Sequence, residues 1–412
     1  MAATDRTISS SGDGEPRQST RFIVLYALAV AGGTTAYLPF LTILLPLHIS
    51  DISQDAAIEG IAYIAFGGAI AASVGNIGFG WLSDRTGTRL PWILSGLALS
   101  SALLIVSHDL TTIGELLVLI LVWQLALNMM LAPLAALGGD FVPDRQKGTL
   151  GGLLSLAPAL GAVSGAVIAI EGLLDDRARL FAVAGIVAAL VLPVCLCGKP
   201  RSMPHLMQPQ KALATFQQAT GRVGSPLPRM WLARLLVQIS EAALFAYLLL
   251  WFRDIDASFG GDDAAQLFAV VIALSVPLSL FSGRWSDTAG RPIAPLTTAA
   301  AVGAAGLVIL GLAEGLPQAI AGYVVFGLSS GVFLALHSAQ TLRVLPRPQN
   351  RARDLGFFNL TNTVPSLIMP WLTLLLVPEV GFGGLALVLA LLAGTAWVLL
   401  LGIGRLQNGV AR

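Results

Sequence analysis

A polar stripe within one apolar run is the part of this sequence best suited to chemistry. Arg234, Gln238 and Glu241 lie in the run 229–251, and their spacing of four and three residues puts them on one face of a helix. Because a charge in apolar surroundings is costly unless it is paired or used, each one is a candidate for function. We predict that Glu241 binds a proton or a charged group of a substrate, with Arg234 close enough to pair with it.

Two less demanding interpretations of the stripe stay open. The aliphatic part of Arg234 could lie along apolar surface while its guanidinium reaches water at the end of the helix. Glu241 could then serve only to tie neighbouring helices together by hydrogen bonds.

Neutral polar side chains interrupt several other apolar runs. Their hydroxyl and amide groups suit a polyhydroxylated ligand or one of mixed polarity, although hydrogen bonds between helices would explain each residue at least as well. The predicted members of a substrate cavity are Thr34, Thr35, Tyr37, Gln124, Asn128, His337, Gln340, Asn359 and Asn362.

The composition indicates which elements position these residues. Of 412 residues, 55% are hydrophobic and 11% are charged, against about 25% charged in a soluble domain. The apolar runs are long enough to cross a bilayer, where a helix satisfies its own backbone hydrogen bonds. We predict an all-α integral membrane protein with twelve transmembrane helices, at about 22–47, 57–82, 91–108, 113–138, 149–171, 179–198, 229–251, 264–283, 292–313, 317–341, 354–377 and 381–404.

A basic, proline-rich segment divides these helices into two groups of six. Residues 199–228 carry four Lys or Arg residues and five prolines, a composition typical of a solvent-exposed linker. We therefore expect a disordered tail at 1–20, a six-helix bundle at 21–198, a linker at 199–228, a second bundle at 229–404 and a short tail at 405–412.

The distribution of basic residues predicts the orientation. Twenty Lys and Arg residues fall on the side of the two termini, whereas Arg177, Arg179 and Arg253 fall on the opposite side. Cytoplasmic segments keep an excess of basic residues. We therefore expect both termini in the cytoplasm and the protein in the plasma membrane.

A short motif is repeated in the two halves. Asp84 follows predicted helix 2, and Asp287 follows predicted helix 8, 203 residues later. Segment 348–356 likewise echoes segment 143–151 after predicted helices 10 and 4. The repeated motif positions are Gly80, Asp84, Arg85, Gly87 and Arg89 in the first half and Gly283, Asp287, Gly290 and Arg291 in the second.

These segments resemble the signature of the major facilitator superfamily, in which a Gly, an Asp–Arg pair, a second Gly and a basic residue follow helix 2. Run 353–359 is also similar to bacterial members, particularly actinobacterial ones near the sugar-type carriers. The resemblance implies two pseudo-symmetric six-helix bundles around a cavity that helices 1, 4, 7 and 10 line, opened to each side in turn. It further implies that Asp84 faces 351–355 and Asp287 faces 145–149 when the cytoplasmic side is closed. Ordinary turn chemistry with solvated charges is the alternative.

The predicted function is secondary active transport of a small organic solute by alternating access. The first candidate is proton-coupled uptake of a sugar-like or polar solute. Efflux of drugs or metabolites is the alternative, because segment 157–165 is similar to the Gly-Pro motif of drug–proton antiporters except at Ala157. A transport-inactive sensor and a membrane enzyme are less favoured, since no hydrolase, zinc-protease or nucleotide-loop motif is found.

The remaining expectations concern partners. The balance of 24 basic against 23 acidic residues argues against a nucleic-acid partner. Cys195 and Cys197 are the only cysteines and indicate helix packing rather than a metal site. We expect a monomer in a lipid bilayer that binds its solute and protons and needs no cofactor.

Overall fold

The computed structural model describes residues 16–52, 57–170, 172–207, 226–345 and 347–410. Most of the tail expected at 1–20 and most of the linker expected at 199–228 lie outside the described residues. Within them, helices account for nearly all of the chain.

The first half contains six helices, and the first of them is interrupted. The α1 span runs from Thr20 to Pro39, continues through a π-helical turn at Phe40–Leu44 and ends with Leu45–Ile52. The helix α5 is broken at Ser155 into Lys147–Leu154 and Leu156–Ile168. The others are α2 at Ala57–Thr86, α3 at Leu90–Val106, α4 at Ile113–Phe141 and α6 at Asp176–Cys197.

Capping residues explain where several of these helices begin. The side chains of Ser19, Thr112 and Asp175 accept hydrogen bonds from backbone N–H groups in the first turns of α1, α4 and α6. Such bonds satisfy donors that have no partner within the helix.

In the second half the helices are α7 at Leu227–Ile255, α8 at Gly261–Ala289, α9 at Ala294–Gly311 and α10 at Leu316–Val344.

The last helical run, Arg351–Val410, contains two membrane-crossing helices. Its 60 residues would extend about 90 Å if straight, three times the roughly 30 Å hydrocarbon layer. The run breaks at Gly381, whose φ of 67° favours glycine. With α11 at 351–380 and α12 at 382–410, the described residues provide the twelve crossing helices that the sequence predicts.

The observed helices extend beyond the apolar runs. The helix α4 continues through Asp140 to Phe141, and α2 and α8 continue past Asp84 and Asp287. The placement of these two aspartates in loops was therefore wrong: they occupy the last turns of helices. Hydropathy marks the segment within lipid, whereas helical hydrogen bonding continues into the polar region.

The main contacts between the two halves lie along two pairs of helices. The helix α2 packs along α11, and α5 packs along α8. The ends of these pairs that lie near both chain termini form what we call the terminal face. Large apolar side chains elsewhere are strongly exposed, including Trp371, Leu391 and Phe281 at 76%, 71% and 71%, as expected of a lipid-facing surface.

Candidate functional site

A cavity of about 390 Å³ lies between the two halves. We call it the central cavity. Side chains from α1, α2, α4 and α5 line it on one side, and side chains from α7, α8, α10 and α11 line it on the other. The predicted set of lining helices, 1, 4, 7 and 10, was therefore correct but too small. It missed Asn76 on α2 and Ser155 on α5, single polar residues within apolar runs.

Six of the twelve residues predicted for the substrate and proton sites line this cavity. Their polar groups come from α1, α7 and α11, which places them on both halves of the protein. They are Thr34, Tyr37, Arg234, Glu241, Asn359 and Asn362.

Gln124 and Asn128 are used between helices instead. The Asn76 amide donates to the Asn128 side-chain oxygen at 2.8 Å, and the Asn128 amide donates to the Gln124 carbonyl at 2.8 Å. Both predicted residues are nearly fully buried. The bond between Asn76 and Asn128 joins α2 to α4. These residues therefore fit the alternative interpretation, in which polar side chains form hydrogen bonds between helices.

His337 and Gln340 also point away from the cavity. One ring nitrogen of His337 lies 3.0 Å from the Met230 carbonyl of α7, and the other lies 3.1 Å from the Thr341 hydroxyl. Gln340 follows the cavity-lining Ser338 by two residues, about 200° around the helix. Thr35 is fully buried, about 100° around α1 from Thr34.

The polar stripe of α7 is bonded to α10 and α11. The Arg234 guanidinium donates to the Ser338 hydroxyl at 3.0 Å and to the Asn362 side-chain oxygen at 3.3 Å. Gln238 does not line the cavity, but its amide donates to the same Asn362 oxygen at 3.0 Å. Asn362 in turn donates to Asn359 at 2.9 Å. Arg234 therefore bonds across the bundle rather than extending to water.

Glu241 lies apart from this cluster. The Ser330 hydroxyl of α10 lies beside its carboxyl group. Among the described residues, no ion pair within 4.0 Å joins Glu241 to Arg234, so the pairing considered from the sequence is not direct. The two side chains are the only charged ones among the described residues that line the cavity.

The terminal face is closed by two sets of contacts, of which the first joins α2 to α11. The Asp84 carboxylate accepts hydrogen bonds from the backbone N–H groups of Ala352 and Arg353 at 3.2 and 2.9 Å. A carboxylate is stabilised at a helix N-terminus by the helix dipole and by unpaired N–H groups. The contact that the family resemblance implied for Asp84 is present.

Three further charges extend this first contact. Arg89 pairs with Asp84 at 2.7 Å and with Asp140 of α4 at 3.1 Å. Arg351, at the start of α11, pairs with Asp140 at 2.5 Å. We call this group of Asp84, Arg89, Asp140 and Arg351 the first junction. Its acidic and basic groups alternate, and the Asp140–Arg351 pair crosses the boundary between the halves.

The second set of contacts joins α8 to α5. The Asp287 carboxylate accepts hydrogen bonds from the N–H groups of Gly148 and Thr149 at 2.8 and 2.6 Å, and from the Thr149 hydroxyl at 2.8 Å. The contact implied for Asp287 is therefore also present. Arg343 of α10 lies 3.6 Å from Asp287 and donates to the Asp144 carbonyl.

A buried lysine completes this second junction, which consists of Asp287, Arg343, Asp144 and Lys147. The Lys147 ammonium pairs with the Asp144 carboxylate at 2.5 Å within its own half. Across the boundary, among the residues that the structure describes, it donates only to the Leu342 carbonyl, at 3.4 Å.

Glycines of the repeated motif allow the helices of each junction to approach closely. A Cβ atom at Gly80 would lie 2.7 Å from the Ala352 carbonyl oxygen, and one at Gly283 would overlap the Gly148 carbonyl. Gly87 and Gly290 end α2 and α8 with φ of 67° and 64°, values that favour glycine.

The two remaining basic positions of the motif differ from the junction residues. Arg85 is exposed, with its guanidinium 5.4 Å from the centre of the Trp81 ring. Arg291 is exposed as well. Among the described residues, neither side chain joins the two halves, so their predicted part in gating stays a prediction, as does the gating role of the whole motif.

The first part of the linker covers the terminal face. The Gln18 side chain bonds both to the carbonyl of Phe141, the last residue of α4, and to the backbone of Arg201, at 3.0 Å each. Farther along the linker, the Leu206 carbonyl accepts a hydrogen bond from Arg351 at 3.0 Å. Linker, tail and first junction therefore contact one another.

The sequence profile of the Major Facilitator Superfamily matches residues 13–166 and 230–409. No curated protein matches the chain in a sequence search. Among solved structures, a bacterial homologue of the iron transporter ferroportin in the outward-facing state is similar with a TM-score of 0.71 and 14% identity, covering 93% of this chain and 99% of that one.

Two further structures share the fold at the same level of sequence identity. The human organic anion transporter MFSD10 has a TM-score of 0.69 at 14% identity, with 92% of this chain and 99% of that chain covered. The proton:xylose symporter XylE has a TM-score of 0.68 at 14% identity, with 92% and 94% covered.

Proposed function

Because this chain belongs to the Major Facilitator Superfamily, and is a multi-pass membrane transporter rather than an enzyme, we propose that it carries a small polar organic solute together with protons by alternating access. The observation that carries the proposal is a central cavity closed at one end. Two junctions hold the halves together at the terminal face, and the cavity lies between the halves beyond them.

The closure of one face supports a cycle with two states. In the conformation described, Asp84 and Asp287 each bond to the first turn of a helix in the other half. Separation of these helix ends would open the cavity to the terminal face. The halves would then rotate about the cavity, which is the motion expected of transporters built from two repeats.

Proton coupling is assigned to Glu241. It is the only carboxylic acid among the described residues that line the cavity. Protonation of Glu241 would change the net charge of the cavity by one unit, and a charge enclosed by apolar helices is costly to move through the bilayer. The proton would therefore bias which conformations the carrier adopts.

The neutral lining favours a polar, sugar-like solute. Hydroxyl and amide groups of Thr34, Tyr37, Asn76, Ser338 and Asn359 all line the cavity, and such groups suit a ligand rich in hydroxyl groups. One chain encloses the whole cavity, which supports a functional monomer. The bias of basic residues supports cytoplasmic termini and a plasma-membrane location.

Efflux is the second candidate, and one observation favours it. Ala157 and Pro158 of the antiporter-like segment line the cavity, and Gly161 packs against Thr34 and Leu38 of α1. Uptake assays in right-side-out and inside-out vesicles distinguish the two directions. Import against a solute gradient only in right-side-out vesicles supports uptake.

The role of Glu241 is tested by pH-driven transport in proteoliposomes. We expect Glu241→Gln to abolish solute accumulation driven by a proton gradient, because glutamine cannot exchange a proton, while exchange of labelled for unlabelled solute continues. The matched control is Glu314→Gln, which removes a carboxylate from an exposed position after α9. Unchanged proton-driven accumulation in Glu241→Gln would refute the assignment.

A further inference from the structure

The Arg234 guanidinium is contacted by neutral groups alone among the described residues. It donates to the Leu334 carbonyl at 3.4 Å, the Ser338 hydroxyl at 3.0 Å and the Asn362 side-chain oxygen at 3.3 Å. Arginine keeps its charge under all ordinary conditions. The central cavity therefore contains a positive charge that no contacting carboxylate balances in this conformation.

Two side-chain oxygens beside Arg234 are already in use, whereas the buried Gln238 side-chain oxygen has no hydrogen-bond partner among the described residues. The Asn362 oxygen receives hydrogen bonds from both Arg234 and Gln238, and the Asn359 oxygen receives one from Asn362. The three hydrogen bonds of Arg234 use three of the five N–H groups that a guanidinium carries. The remaining guanidinium N–H groups and the Asn359 amide are donors, and a group of donors around a positive charge favours an anion.

The charge balance of the cavity discriminates between solutes. Glu241 follows Arg234 by seven residues, about 10 Å along α7, and an ionised Glu241 cancels the charge of Arg234 in the empty cavity. A bound anion together with a proton on Glu241 again gives no net charge, whereas a neutral sugar together with that proton leaves one positive charge. The conformational change that moves the cavity from one side of the membrane to the other costs least when the cavity has no net charge, because a charge in apolar surroundings is costly.

We propose that the transported solute is a small hydroxylated organic anion whose acidic group binds Arg234, an inference that rests on the proposed function. The carboxylate, or an acidic group of similar geometry, accepts hydrogen bonds from Arg234 and Asn359. The hydroxyl groups of the solute bind the neutral lining. The solute anion and the proton on Glu241 travel together, so each neutralises the charge that the other would leave.

Matched pairs of probes test this inference by their binding to purified protein. Each pair shares a carbon skeleton: gluconate with glucitol, glucuronate with glucose, and lactate with propane-1,2-diol. We expect stabilisation against heat by acids and not by their neutral partners. Arg234→Gln should weaken that binding about tenfold or more, while Arg234→Lys, which keeps the charge, should retain part of it.

The matched control is Arg229→Gln, which removes an exposed charge from the same helix outside the cavity and should leave binding unchanged. Elution of each variant as a single monodisperse species shows that it is folded. Equal stabilisation by neutral partners, no stabilisation by any acid, or full binding to Arg234→Gln would each overturn the inference.

Transport currents separate this inference from the proposed function. We expect proton-coupled uptake of an acid to carry no net charge. Proton-coupled uptake of glucose or glucitol that Arg234→Gln leaves intact would contradict the anion inference and leave the proposed function standing. Absence of counterflow for every acid and neutral probe would contradict both.

Discussion

The two junctions at the terminal face use the same backbone contact and different charges. In both, an aspartate at the end of one helix accepts hydrogen bonds from two N–H groups in the first turn of a helix in the other half. In the first junction, two acidic and two basic side chains also form a chain of ion pairs, of which Asp140–Arg351 crosses the boundary. In the second, the shortest ion pair stays within one half.

The repeat explains how this difference arises. With the offset of 203 that relates Asp84 to Asp287, Arg89 corresponds to Pro292, next to the exposed Arg291. With the offset of 205 that relates segment 143–151 to segment 348–356, Asp140 corresponds to Leu345. The second junction therefore lacks both a counterpart of Arg89 that pairs with its aspartate and an acidic residue at the end of its fourth helix. The contact with the helix N-terminus is common to both halves, whereas the surrounding charges are particular to each. We infer that ion pairs stabilise the first junction more than the second.

The largest effect is expected from Asp140→Asn. This change leaves Arg89 and Arg351 without their shared carboxylate, and breaking a largely buried ion pair costs about 3 kcal/mol or more. The ratio of closed to open terminal faces should fall on the order of a hundredfold. Distances between spin labels on the ends of α2 and α11 measure that ratio.

The control for this variant is Asp176→Asn in α6, away from both junctions. It removes a carboxylate that is exposed, at 73%, and whose ion pair with Arg179 stays within one half. A loss of closure in Asp176→Asn as large as in Asp140→Asn would show that the pair with Arg351 is not what holds the first junction closed.

A smaller and more equal effect is expected from Asp84→Asn and Asp287→Asn. In each variant the amide oxygen can still accept from the helix N-terminus, but the hydrogen bonds lose their charge assistance, worth about 1 to 2 kcal/mol. Asp84→Asn should cost more, because it also leaves Arg89 with one carboxylate partner instead of two. The same spin-label distances provide the measurement, and a larger loss for Asp287→Asn would reverse the comparison.

The smallest effect is expected from Gln18→Ala. The Gln18 side chain joins the tail to the linker and to the end of α4, and a neutral hydrogen bond contributes about 1 kcal/mol. We expect a fall in thermal stability of a few degrees without loss of transport. Ser19→Ala, which removes only the cap of α1, is the comparison; a transport defect confined to Gln18→Ala would assign a larger role to the linker.

The sequence predicted the contacts of Asp84 and Asp287 but not the charges around them. The twelve helices follow from apolar length, and the aspartate contacts follow from the family resemblance. The Asp140–Arg351 pair joins residues 211 positions apart, and its formation depends on how α4 and α11 lie relative to each other. Hydropathy contains no information on that placement.

The same limit explains the mixed outcome for the cavity residues. Polar residues at mid-helix could face either the cavity or a neighbouring helix, and the choice depends on rotation about the helix axis. Thr34 and Asn359 face the cavity, whereas Asn128 and His337 face other helices. A shift of one residue rotates a side chain by about 100°, so spacing within one helix could not decide between them.

Thiol labelling of a Thr34→Cys variant is the measurement that tests alternating access most directly. The variant is made after Cys195 and Cys197 are replaced by alanine, and a membrane-impermeant thiol reagent is added to right-side-out or inside-out vesicles. We predict labelling from the face opposite the termini alone when both junctions are intact, and labelling from the terminal face once Asp84 and Asp287 are both changed to alanine. Equal labelling from both faces with the junctions intact, or unchanged labelling without them, would contradict the account.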